Sequence, residues 1–364
     1  MTTNYIKEYR DPEIANQFIR RIHTSAKKPL RLMEVCGTHT MSIFRNGIRS
    51  VLPSHVSLLS GPGCPVCVTA QSEMDAVIEI AQDKTTILCI FGDLMKIPGS
   101  QSSLRIESSK GLDIRVVYSS FDALRIAEIN PKKRVVFVAI GFETTIPAIA
   151  GTILMAEKKG LSNFYIYSAH KVIPPALHML VQNRDIRIDG FLLPGHVAVV
   201  LGVQGFQDFF NFTKIPCVVA GFEPVDILDA IYRLVQQHEQ SAPALDNAYQ
   251  RVVTHEGNVK AQHMMYQVFQ AANARWRGLG EILNSGLELK PQYNQFCAKQ
   301  AFGVTLPPIE VEPPECLCGK ILQGINIPTE CIFFNRKCTP EHPMGPCMVS
   351  MEGTCAAYFQ YGIT

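Results

Sequence analysis

One phrase recurs through the middle of this chain: a short apolar run rich in β-branched residues, a turn of glycine or small polar residues, then helical text. SLLSGPGCPVC, TTILCIFGDLMKIPG, RVVFVAIGFETTIPAIAG, NFYIYSAHKVIPPALHML, DGFLLPGHVAVVLG and PCVVAGFEPVDILDAI all follow it. Strands that are continuously rather than alternately apolar belong in a sheet covered on both faces, and alternation with helices makes such a sheet parallel. The fold class expected is α/β, with two doubly wound, Rossmann-like parallel-sheet domains. A weak internal echo supports two similar halves: GFETT at Gly141 to Thr145 and GFEPVD at Gly221 to Asp226 both follow Val-rich runs.

From about Gln236 the text changes. HEQSAPALDNAYQRVV and KAQHMMYQVFQAANARWRGLGEIL read as longer helices, and TLPPIEVEPPECLCG reads as an extended, proline-rich acidic connector into a cysteine-rich tail. The expected division is 1–130 for an N-terminal α/β domain, 131–238 for a second, and 239–364 for a mainly helical and irregular domain holding the cysteines. A chain of 364 residues with 47% hydrophobic content has material for two or three cores.

Charge narrows the partners. Thirty-four basic against 32 acidic residues, a net charge of +2 and no basic run leave no electrostatic footprint for nucleic acid. MTTNYIKEYRDPEIANQF lacks the apolar core of a signal peptide, and the longest apolar stretches are interrupted by Glu143 or by Pro194 and His196, which argues against a membrane and for the cytoplasm. In reducing cytosol, clustered thiols among 12 cysteines read as metal ligands or redox groups rather than as structural disulfides.

Three cysteine groups stand out. Cys331, Cys338, Cys347 and Cys355 are evenly and widely spaced in a tail broken by Pro340, Pro343, Gly345 and Pro346. Structural zinc sites use knuckles of closely paired ligands, so this spacing favours a chain wrapped around a [4Fe-4S] cluster, with zinc as the alternative. Cys316 and Cys318 add two thiols that would compete as ligands or serve as a relay. Cys64 and Cys67, in GPGCPVC, sit at a strand-to-helix turn where a helix N-terminus lowers a thiol pKa, a dithiol switch or else half a zinc knuckle or a pair of buried cysteines. The glycines before them point to close backbone approach.

Cys36 and His39, in MEVCGTHT, are three residues apart and suit chelation of iron or zinc, or equally a structural thiol beside a histidine near a helix cap supplied by Thr38 or Thr40. Glu143 reads as a general base or as a helix-dipole partner, with Thr144 and Thr145 placed to cap a helix and Pro147 in its first turn. His170, His196 and Glu223 share with these residues a position where strand gives way to helix, the usual rim for function in doubly wound folds. Cys89, Cys217 and Cys297 lie in apolar text and read as small core residues.

MEVCGTHT, GPGCPVCVT, GFETT, the PPA after His170, LLPGHV, GFEP and CTPEHPMGPCMVSMEGTC, in that order over nearly the whole chain, resemble the HypD family of hydrogenase maturation factors. The resemblance implies a [4Fe-4S] cluster on Cys331, Cys338, Cys347 and Cys355, and Cys64/Cys67 as a redox pair beside it. It implies that Cys36, with His39 near it, anchors an Fe(II) that gains cyanide and CO to become the Fe(CN)2CO unit of NiFe hydrogenase. It also implies two partners, a HypC-like small chaperone that shares the iron and a HypE-like donor delivering cyanide from a thiocyanate. Glu143 would position groups or move protons near the iron. Such a protein is an assembly factor rather than a turnover enzyme; the competing readings are a ferredoxin-linked thiol-disulfide oxidoreductase and a zinc-stapled scaffold.

Overall fold

The computed structural model describes residues 7–183, 185–307 and 315–362; the middle of the proline-rich connector therefore lies outside the described residues. Twelve strands follow one another among the described residues: β1 (Leu30–Glu34), β2 (Val56–Ser60), β3 (Thr86–Ile90), β4 (Ile114–Val116), β5 (Arg134–Ala139), β6 (Phe164–Ser168), β7 (His170–Lys171), β8 (Gly190–Pro194), β9 (Cys217–Ala220), β10 (Leu245–Asn247), β11 (Phe269–Trp276) and β12 (Gly280–Leu289).

They form three sheets. One is five-stranded in the order β10-β9-β8-β1-β2, another four-stranded in the order β4-β3-β5-β6, and every pair in both is parallel. The α/β class with parallel sheets is thus as the apolar runs predict. Every residue of β3, β8 and β9 is buried, as strands covered on both faces require. Sheet membership, however, is not sequential. β1 and β2 pair with strands from residues 190–247, while β3 to β6 form the other sheet, so position 130 falls between two strands of one sheet. The GFETT and GFEPVD echoes follow β5 and β9, at equivalent ends of the two sheets.

The third sheet departs from the helical reading. A helix covers Val259–Val268, but QAANARW continues as β11, which pairs antiparallel with β12 and through it with β7. Ala, Gln and Arg are good helix formers, but propensity yields to tertiary context, and here strand pairing wins. Gly278 and Gly280, both at φ +76°, turn the chain between the two strands, and Trp276 is buried with its indole N–H donating to Ser285 Oγ at 2.8 Å. The turn lays Arg277 and Trp276 against Val68 and Thr69, just beyond the CPVC segment.

The cysteine-rich end folds back over the first parallel sheet. Its last helix, Thr354–Tyr361, packs on the helix Gly37–Arg45, with the Phe44 and Tyr358 rings 4.7 Å apart and the Arg49 guanidinium 4.7 Å from the Phe44 ring. Among the described residues no helix is long and apolar enough to cross a membrane.

Candidate functional site

Adjacent parallel strands bring the first two cysteine motifs together. Glu34 ends β1 opposite Ser60 of β2, so CGTHT and GPGCPVC leave the sheet side by side. Gly61 N–H donates to the Glu34 carbonyl at 2.8 Å and Gly37 N–H to the Gly63 carbonyl at 2.9 Å. A Cβ on Gly63 would stand 2.1 Å from the Cys36 nitrogen, which is the close backbone approach that the glycines foretell.

Cys36 precedes the helix Gly37–Arg45 and is 8% exposed; its sulfur faces the N–H groups of Thr38 and His39. Burial pushes its thiol up to about 12. Neither threonine caps the helix as expected. Thr38 gives its hydroxyl to Glu352 Oε1 at 2.7 Å, and Thr40 gives its own to Glu34, whose other oxygen takes the Cys36 N–H at 3.0 Å. Glu34 is fully buried, and burial lifts its carboxyl to about 7.

His39 Nε2 faces the carbonyls of Gly221 and Ala220 at 2.9 and 3.2 Å, so that nitrogen carries the proton. Nδ1 is buried without a hydrogen-bond partner, an imidazole lone pair left available. Burial pulls His39 down to about 4, keeping the ring neutral. Phe222, just after β9, stacks between His39 at 4.7 Å and His196 at 3.8 Å. Glu223, by contrast, faces outward and pairs with Arg10.

Cys64 and Cys67 lie in a turn; the next helix begins only at Gln71, so no helix N-terminus reaches them. Cys67 N–H donates to Cys64 Sγ at 3.2 Å, and both thiols are buried. Burial raises Cys64 well above the ordinary thiol range. Burial acts the same way on Cys67, but hydrogen bonds with Cys347 and Cys64 and the charge of Arg277 outweigh it and bring Cys67 below that range. Arg277 is itself buried, with Nη2 unpartnered and Nε donating to the Thr69 carbonyl at 3.1 Å.

Cys67 leads into the tail. Cys331, Cys338, Cys347 and Cys355 line one apolar cavity, together with Cys316 and Cys318. Cys347 is in hydrogen-bonding reach of Cys67, Cys355 and Cys318, the last with its sulfur at 2.9 Å. The donor set is six thiols without carboxylate or imidazole, a soft environment of the kind iron–sulfur clusters occupy. Among the described residues no three His, Cys, Asp or Glu side chains are arranged to hold one metal ion.

Glu143 belongs to the rim of the other sheet. It is fully buried, one oxygen taking the N–H of Ile173 at 2.9 Å and the other unpartnered, and burial lifts it to about 7. The dipole it meets is that of the helix Ile173–Gln182, not of the helix that follows it; Thr145 there bonds back to the Phe142 carbonyl instead of capping. Pro147 does occupy the first turn, as expected. His170 shares a hydrogen bond with Ser168 at 3.1 Å, is drawn down to about 3 by burial, and leaves Nε2 unpartnered. Cys89, Cys217 and Cys297 are core residues.

The chain matches the HypD family, described as the hydrogenase formation hypA family, over residues 13–362. The chain belongs to that family. Hydrogenase maturation factor HypD2 of Bradyrhizobium diazoefficiens is 44% identical over 98% of this chain and 97% of its own length. Hydrogenase maturation factor HypD of Escherichia coli is 42% identical over 98% of both chains, and that of Cupriavidus necator 40% over 98% and 97%. Within this HypD-family chain, sequence spacing missed Glu352, Glu34 and Arg277. Glu352 and Arg277 are lone charged residues whose partners lie in another segment, so no local pattern marks them, whereas Glu34 bonds the nearby Cys36 and Thr40 and is hidden by its place at the end of an apolar strand.

Proposed function

We propose that this chain acts in hydrogenase maturation in the cytoplasm, as a scaffold on which an Fe(II) acquires cyanide and CO before delivery to NiFe hydrogenase. Cys36 is the thiolate that anchors the iron, and His39 Nδ1 is the neighbouring nitrogen donor. A HypC-like chaperone completes the iron's hold, and a HypE-like partner brings cyanide as a protein thiocyanate. The observation that carries this reading is contiguity. The Cys36 loop is built on Gly63, Cys64 follows directly, and Cys67 touches a thiol of the six-cysteine cavity.

The chemistry needs that contiguity. Releasing cyanide from a thiocyanate takes two electrons: the C–S-bound cyanide leaves as HCN, the donor sulfur takes a proton, and Cys64 and Cys67 give up two protons and join as a disulfide. Glu352 lies beside both Cys36 and Cys67 and fixes Thr38. Glu143, near neutrality, is a proton-holding group on the neighbouring rim.

A [4Fe-4S] cluster suits the all-thiol cavity. Cys331, Cys338 and Cys355 would hold it with a fourth thiol, Cys347 by the even spacing of the tail, while Cys316 and Cys318 line the same space. When bound it supplies electrons one at a time to the adjacent thiols.

Cys64→Ala and Cys67→Ala variants, expressed in a host lacking its own HypD-family protein, are expected to leave NiFe hydrogenase immature while keeping wild-type iron and sulfide. Normal maturation by either variant overturns the redox role of the pair.

A further inference from the structure

The thiol cavity has a thin outer wall. Cys331 is half-buried there, and Ile332, next to it, is 60% exposed. Met344 is 39% exposed and its N–H donates to Cys338 Sγ at 3.3 Å, so a single residue separates solvent from a cavity thiol. The same loop, from Pro340 to Pro343, forms one wall of an open groove of about 770 Å³, and the segment from Lys96 to Ile106 forms the other. Lys96, Arg105 and His342 line this groove with one carboxylate, Glu341, which already feels the charge of Lys96. Arg336 and Lys337, both exposed, carry positive charge on toward the cavity, and Lys337 Nζ sits 5.8 Å from the ring of Phe333, a cavity residue. Other carboxylates nearby are engaged: Asp75 by Ser100, Glu107 by Ser102 and Lys110, and Asp93 by Ser350. An exposed apolar patch rimmed by cations therefore lies over the thiols, the arrangement by which transient protein partners dock.

Each cyanide release leaves Cys64 and Cys67 oxidised by two electrons that the reaction itself does not return. The donor must come from outside the chain and must reach the place where thiols approach the surface. We propose that the patch over Cys331 and Cys338, flanked by Lys96, Arg105, Arg336 and Lys337, docks a small acidic one-electron carrier protein that re-reduces this centre. This rests on the reading of Cys64 and Cys67 as the two-electron donor. Two reduced carriers are oxidised in turn, each losing one electron. The Cys64–Cys67 bond breaks, and each sulfur gains one electron and, from solvent, one proton. A carrier that must arrive twice per cycle has to bind fast and leave fast, which charge steering onto a small, cation-rimmed patch provides.

The test uses full-length protein purified without oxygen and oxidised to the Cys64–Cys67 disulfide. It is mixed with a reduced plant-type [2Fe-2S] ferredoxin, which is acidic, or with reduced methyl viologen, a small cation, and free Cys64 and Cys67 are counted over time by alkylation and peptide mass. Wild type is expected to be reduced by both, the ferredoxin rate falling as salt rises. Lys96→Glu/Arg105→Glu and Arg336→Glu/Lys337→Glu are expected to slow the ferredoxin reaction about tenfold or more at low salt, with the viologen rate and the iron and sulfide content unchanged. The first pair lies across the groove from the cysteine-bearing loop, so its effect does not come from a disturbed cavity. Equal ferredoxin rates in wild type and both variants, an equal loss with both donors in Lys96→Glu/Arg105→Glu, or a wild type reduced by viologen but not by ferredoxin would each overturn the docking proposal and leave the redox reading standing. A wild-type disulfide that neither donor reduces would overturn the redox reading, and the docking proposal with it.

Discussion

Glu352 accepts the hydroxyl of Thr38 at 2.7 Å, joining the cysteine-rich end of the chain to the CGTHT loop at its beginning. The contact spans 314 positions, and it is reinforced by Gly37, where a Cβ would stand 2.5 Å from that of Glu352. The CGTHT loop is thus clamped between its own sheet and the cysteine-rich end of the chain.

Thr38→Val keeps the shape of the side chain and removes the donor. Leaving a partly buried carboxylate with one partner fewer is expected to cost about 1 to 2 kcal/mol and to expose the tail to protease before the sheets. Denaturant unfolding with limited proteolysis measures both, and unchanged values would mean that the clamp contributes nothing.

Gly63→Ala drives a Cβ into the Cys36 backbone at 2.1 Å. Since backbone cannot step aside as a side-chain end can, a loss of about 3 kcal/mol is expected, with displacement of the Cys36 loop. Wild-type stability in this variant would contradict the packing of the two loops.

Glu143 stands at about 7 in the folded chain against an ordinary value of 4.5, raised by burial. Because the folded value lies above the unfolded one, the carboxyl costs nothing while protonated below the unfolded value and weakens the fold progressively as pH rises toward 7. Glu143→Gln keeps an acceptor for Ile173 N–H and removes the titration. Relative to wild type the variant should therefore gain stability between about pH 5 and about pH 8, by on the order of 3 kcal/mol. Unfolding curves at the two pH values with an unchanged difference would show an ordinary carboxylate.

Cys36→Ala removes the sulfur without disturbing the Glu34 bond to the residue's N–H, which is a backbone contact. The expected result is a folded protein with wild-type iron and sulfide that fails to mature hydrogenase, read by hydrogenase activity after complementation.

Much of this arrangement is legible in local sequence. Continuous apolar runs give the parallel strands, and the glycines of GPGC announce contact that Gly63 makes with Cys36. What is not legible is the pairing of segments far apart. β1 and β2 join strands 190–247 because Met33 meets Phe191 across a parallel register, and nothing near Met33 says so. Glu352 and Arg277 are ordinary charged residues until the fold sets them beside Cys36 and Cys67. QAANARW has helical composition, and only pairing with β12 makes it a strand. The tail spacing singles out four cysteines, whereas the fold gathers six.

The central claim is that these thiols hold an iron–sulfur cluster in electronic reach of the Cys64/Cys67 pair. Anaerobic purification of wild type and Cys338→Ala, followed by absorption spectra and iron, acid-labile sulfide and zinc analysis, tests it most directly. The account predicts a brown wild-type protein with about four irons and four sulfides per chain, both lost in Cys338→Ala. A colourless protein holding zinc and no sulfide would contradict it.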